Sequence, residues 1–115
     1  MPNKTLSVEV RQVNTTAVIE LRGEIDAFGE ETLNTAYAEA AKLNPNTILL
    51  NFSSVDYINS TGIALIVGLL AQARKSGKRL VTTGLSSHYV EIFHITRLSD
   101  FMNIYPDEAS ALAAQ

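Results

Sequence analysis

Cysteine is absent from the chain. That excludes disulfides, a thiol nucleophile and most structural zinc sites. Histidine is nearly absent: only His88 and His94 could serve as imidazole bases, and both fall in one short predicted helix. Neither stands near a serine in a G-x-S-x-G elbow. No cluster of His, Asp and Glu has metal-ligand spacing, and neither a Walker loop nor a G-x-G-x-x-G run is present. The expectation is a protein that is not an enzyme, with no catalytic residue, no metal and no cofactor. Positive charge is also scarce: nine Lys and Arg stand against twelve Asp and Glu, for a net charge of −3. A nucleic-acid partner would call for the opposite balance. A long apolar run is missing too. The longest, Ile63 to Ala71, is about half of the roughly 20 residues a membrane span needs. The opening MPNKTLSVEV lacks the charged start and apolar core of a signal peptide. With no cysteine to oxidise, the chain fits a reducing, cytoplasmic setting.

What is present reads as a single globular domain over residues 1–115, with 46% hydrophobic residues and neither repeat nor linker. Leu6 to Val13 alternates apolar and polar residues, the period of a half-buried strand. Asn14-Thr15-Thr16 is a turn, and Ala17 to Arg22 (AVIELR) a second strand, so the two predict a hairpin. GEID at 23–26 follows, with Gly23 expected to end the strand and Asp26 to cap the next helix. Phe28 to Leu43 carries Leu33, Ala36, Tyr37, Ala40 and Ala41 at helical spacing, and Pro45 stops it. Thr47 to Phe52 (TILLNF) suits a buried strand.

A helix over about Ser60 to Ser76 is expected to close at Gly77, with Arg74 and Lys75 in its last turn. Then come a strand at Arg79 to Thr83, a short helix at Ser86 to His94, an edge strand within Phe101 to Tyr105, and a last helix opened by Pro106 in its first turn. The order β-β-α-β-α-β-α-β-α predicts the α/β class. Strand–helix–strand crossovers impose parallel pairing and the opening hairpin an antiparallel pair, which makes a mixed sheet covered by about four helices.

One stretch asks for more than a fold. In YINSTGIALIV, two hydroxyl residues, Ser60 and Thr61, stand between a strand-like run and an apolar helix. A helix cap needs one hydroxyl, not two.

Three motifs together resemble those of the STAS domain family, the fold of bacterial anti-sigma factor antagonists. GEID resembles the family's G-E-[LI]-D after the second strand. LLNFSSVDYIN resembles its third-strand run, and NSTGIALIVGLL its D-[ST]-[ST]-G-[LI] motif at the start of the second helix. The resemblance runs from Leu6 to about Leu112. It implies a STAS-type mixed sheet and a phosphorylation switch. The unphosphorylated protein binds an anti-sigma factor that is often a serine kinase, so freeing a sigma factor; the kinase modifies the motif's first hydroxyl, and a phosphatase reverses this.

By position the acceptor is Ser60, with Asn59, Thr61, Gly62, Ile63 and Asp26 on the partner surface and Gly62 letting the partner approach. Asn59 stands where the family usually has Asp. The resemblance leaves a second role open, a STAS adaptor or scaffold subunit that is not phosphorylated, in a stressosome-like assembly or an ABC lipid transporter. It implies neither a membrane nor direct nucleic-acid contact, and a monomer or weak dimer.

The chemistry suits the place. First-turn amides of a helix point outward unpaired and its dipole favours anions, so phosphate on Ser60 would be tolerated there. It would add about −1.5 to −2 charges to the surface, beside Asp26 and Asp56, which are expected on the same rim. Simpler roles stand beside these. Ser60 and Thr61 could be a cap and a first-turn residue, Asp26 a helix cap, and Gly62 and Gly68 points of close packing. The stripe Ile63, Leu65, Ile66, Leu69 and Leu70 reads as core. Ala64 and Val67 widen it, so the helix is either deeply buried or partly covered by a partner.

Overall fold

The computed structural model describes residues 5–115; residues 1–4, part of the stretch read for a targeting signal, lie outside them. Strand β1 (Ser7–Val13) and strand β2 (Thr16–Ile25) pair antiparallel through a two-residue turn at Asn14-Thr15. Asn14 has φ +54° there, a left-handed conformation that Asn tolerates better than most residues. A 3-10 turn at Ala27–Gly29 leads into α1 (Glu30–Lys42). Then follow β3 (Thr47–Ile58), α2 (Ser60–Lys75), β4 (Arg79–Thr83), α3 (Ser87–Ile95), a second 3-10 turn (Leu98–Asp100), β5 (Asn103–Tyr105) and α4 (Glu108–Ala113). The sheet runs β1-β2-β3-β4-β5, and every pair after the first is parallel. This is the mixed α/β sheet expected from the element order.

The two faces are covered unequally. Leu21, Ile25, Leu50 and Phe52 belong to the main core, packed with Leu33 and Tyr37 of α1, Ile66 and Leu69 of α2, and Phe93 of α3. On the other face Val18, Leu49 and Val81 pack against Ala111 of the short α4. Beyond α4 this face is polar. Arg11 pairs with Glu20 and with Glu108 of α4, and Arg22 reaches Glu9 and Glu20. The Arg11 hydrogen bond holds the Glu108 carboxyl below its usual range, with Asn51 adding to it against the effect of burial.

Four local expectations are corrected. Gly23 does not end β2. With φ +99° it sits where the β2–β3 register shifts, a bulge position that glycine accommodates. The strand then continues, pairing Glu24 with Tyr57 and Ile25 with Ile58, so β3 runs six residues past Phe52. Phe28 does not open α1; it lies in the 3-10 turn that Asp26 caps by accepting the Phe28 N–H at 3.0 Å. Pro106 precedes the last helix rather than entering it, because Asp107 takes the cap by accepting the Ser110 N–H at 2.8 Å. The end of α2 follows expectation. Gly77 has φ +70°, Lys78 N–H donates to Ala73 at 2.8 Å and Gly77 N–H to Arg74 at 3.2 Å, the paired bonds of a Schellman motif.

Candidate functional site at the mouth of helix α2

Parallel sheets place their binding surfaces at the carboxyl ends of the strands. Here β2 and β3 end side by side at Ile25 and Ile58. The Asn59 N–H donates to the Ile25 carbonyl at 3.1 Å, which ties the entry of α2 to the end of β2. From α3, the buried Tyr89 places its hydroxyl oxygen 2.8 Å from the Ile58 N–H and accepts from it. The strand end that carries the site is therefore held from two sides.

The cap of α2 is Asn59. Its backbone is extended and its side-chain oxygen accepts the Gly62 N–H at 2.8 Å. Ser60 and Thr61 are the first two residues of the helix, and both are exposed. Neither hydroxyl makes a hydrogen bond among the described residues, so neither is occupied by capping. The first amides of a helix have no intrahelical acceptor; Asn59 takes that of Gly62 and leaves those of Ser60 and Thr61 available. Asn performs this duty as well as Asp, so its neutral side chain leaves the local geometry in place.

Gly62 is corrected. It is buried and faces its own sheet: a Cβ there would lie 2.2 Å from the Ile25 carbonyl oxygen and 2.9 Å from Ile58 Cγ2. What glycine admits at this position is strand β2, not a partner. Ile63 is half-buried and packs against the main core. Asp26, half-buried, follows Ile25 directly, and Asp56 lies exposed on β3 two residues before Ile58. Of the residues singled out in the sequence, Asp26, Asn59, Ser60 and Thr61 meet at one surface, while Gly62 supports it from below.

Two large side chains on or beside this surface were not singled out. Phe28 is 90% exposed on its capped turn, and Tyr57, next to Ile58, is 51% exposed. Val67 is 46% exposed and Ala64 is also exposed, which resolves the width of the apolar stripe: α2 is not buried all round. An aromatic two residues after GEID and another two before Asn59 were the available signals. The surroundings are acidic. From Gly23 to Ala41 there are five carboxylates and no cation. No group of three or more His, Cys, Asp or Glu able to hold a metal occurs among the described residues, and none of their helices is long and apolar enough to cross a membrane.

This geometry presents an unengaged hydroxyl on a rigid, open surface. Comparison with known proteins supplies its setting. The chain is 32% identical over 101 residues to an anti-sigma-B factor antagonist of Listeria monocytogenes, covering 86% of this chain and 88% of that protein. Among solved structures, the unphosphorylated form of the anti-sigma factor antagonist SpoIIAA superposes with a TM-score of 0.72 at 19% identity, over 94% of this chain and 96% of that one. The phosphorylated form of the Bacillus cell fate determinant SpoIIAA gives 0.71 at 22%, over 95% and 100%. A family model described as STAS domain matches residues 7–111, from the first strand to the last helix, and by that match the chain belongs to the STAS domain family.

Proposed function

We propose that this protein is an anti-sigma factor antagonist: a binding protein that captures an anti-sigma factor through the mouth of α2, and is released from it when Ser60 is phosphorylated. The observation that carries the reading is the division of labour at residues 59–61. Asn59 caps the helix, and Ser60 is left exposed and without a hydrogen bond among the described residues. The curated relative from Listeria carries the antagonist name at 32% identity, which supports the same role here. The kinase activity and its ATP belong to the partner, a phosphatase restores the hydroxyl, and the cycle runs in the cytoplasm.

Phosphate on Ser60 would meet first-turn amides and the positive end of the helix dipole, so the helix would keep its start. Its effect falls on the partner. A surface matched to small neutral side chains would have to desolvate about two negative charges in a setting already acidic. Each 1.4 kcal/mol lost lowers affinity about tenfold, so release needs no change of fold.

The deciding experiment incubates wild type and Ser60→Ala with the anti-sigma kinase and ATP, then measures intact mass. One phosphate on wild type and none on the variant is expected. Equal uptake by both would move the acceptor elsewhere. No uptake by either, from a kinase active on its own antagonist, would favour the adaptor role.

A further inference from the structure

The exposed side of α2 does not end at its mouth. Ser60, Ala64, Val67, Ala71 and Arg74 follow one another at spacings of four and three residues, and all five are exposed. They therefore form one line along the helix, about 21 Å long at 1.5 Å per residue. At its far end the line opens into a groove between α2 and the turn before β5. Leu70 is the floor, and Val67 and Phe101 are the walls, 46% and 54% exposed. The Arg74 guanidinium lies over the Phe101 ring, 5.1 Å from its centre. Phe101 is thus held at the surface with its ring only partly covered.

The groove's charged lining residue, Arg74, is opposite in sign to the carboxylates near Ser60. Arg74 makes no ion pair among the described residues, whereas Arg11, Arg22 and Arg97 all do. Arg74 thus brings guanidinium donors with no carboxylate partner to the rim of an apolar groove. The side chain that fits such a place is apolar and flanked by a carboxylate.

We propose that this groove is a second docking point for the same partner, taking an apolar side chain next to an acidic one from a segment of the anti-sigma factor that lies along α2. The inference rests on the proposed function, and it assigns the two ends of the helix different tasks. Along the helix the groove runs from about 10 Å from Ser60 at Val67 to about 21 Å at Arg74, beyond the screening length of about 8 Å at physiological salt. Phosphate on Ser60 therefore acts on the mouth alone, while the groove supplies affinity that does not depend on phosphorylation.

The test titrates the purified anti-sigma factor into wild type, Ser60→Asp, Val67→Glu, Arg74→Glu and the double variant Ser60→Asp/Val67→Glu, with thermal melts of each. Val67 is exposed at mid-helix, so Val67→Glu should melt as wild type does. The expected result is a loss of affinity of at least tenfold for Val67→Glu and for Arg74→Glu. In the double variant the Val67→Glu loss should multiply that of Ser60→Asp, as for independent distant sites. If Ser60→Asp weakens binding while Val67→Glu and Arg74→Glu bind as wild type does, the groove proposal is overturned and the proposed function stands. If wild type does not bind the anti-sigma factor at all, the function itself fails and the groove loses its occupant with it. Sedimentation of the chain alone closes the remaining route: a wild-type dimer dispersed by Val67→Glu would make a second copy the occupant and overturn the proposal.

Discussion

Gly62 lies against the Ile25 carbonyl so closely that a methyl group in place of its hydrogen would come within 2.2 Å of the oxygen. The first turn of α2 rests directly on the last residue of β2. Because the two Ile25 atoms it would meet, the carbonyl oxygen and carbon, are backbone, they cannot rotate away as a side chain would. Gly62→Ala is expected to destabilise the protein by about 2 kcal/mol or more, in the upper range of overpacking, and to lower partner affinity through displacement of the helix mouth. Denaturant titration checks this; an unchanged midpoint would mean that α2 can shift off the strand without cost.

Ser60→Asp should leave the melting temperature within a degree or two of wild type, since an acidic residue in the first turn suits the helix dipole. Affinity for the anti-sigma factor should fall at least tenfold. Calorimetry and a melt on the same sample decide. A large drop in melting temperature with affinity intact would reverse the mechanism.

Phe28→Ala should cost the fold almost nothing, because the ring is 90% exposed and the Asp26 cap acts on the backbone of Phe28. Partner affinity should drop by a factor of ten or more, the usual penalty for truncating an aromatic anchor. Unaltered affinity would place the partner away from the 3-10 turn, on the α2 side of the mouth alone.

Tyr89→Phe removes only the oxygen that accepts the Ile58 N–H. A buried donor left without an acceptor costs about 1–3 kcal/mol. The variant should therefore be less stable, and amide exchange at Ile58 should accelerate more than at Leu49 in the middle of the same strand. Uniform acceleration along β3 would show global rather than local loosening.

Acid should loosen α4 first. The Glu108 carboxyl is held below its ordinary value of 4.5 by the Arg11 hydrogen bond, with a further contribution from Asn51. A depressed carboxylate stabilises the fold above its unfolded value, and that contribution is lost as pH falls through its folded value. Stability should thus decline below about pH 4.5, and Glu108→Gln should flatten that limb while starting from a lower plateau. Urea midpoints measured from pH 7 to pH 3 check the sign; parallel curves for the two proteins would remove Glu108 as the source.

The amino-acid sequence by itself determined the order of elements, because the periods of two and of 3.6 residues and the breaks at Asn14, Pro45 and Gly77 are local signals. It also pointed to the candidate site, since GEID and NSTG are contiguous motifs. What it left open were contacts between residues distant along the chain. The continuation of β2 and β3 past Gly23 and Phe52 follows from their pairing across 33 residues, Ile25 with Ile58, and no local pattern carries it. The Tyr89 support of Ile58 comes from another helix. The reversal at Gly62 has the same origin: an NSTG tetrapeptide says that glycine is wanted, but only the packed sheet decides whether the space is needed by a visitor or by Ile25. Likewise Ser60 and Thr61 remained possible caps until the backbone turned extended at Asn59 and its side chain took the Gly62 amide. Local letters set propensity, and the tertiary contact decided which of the competing hydrogen bonds and packings the chain could satisfy together.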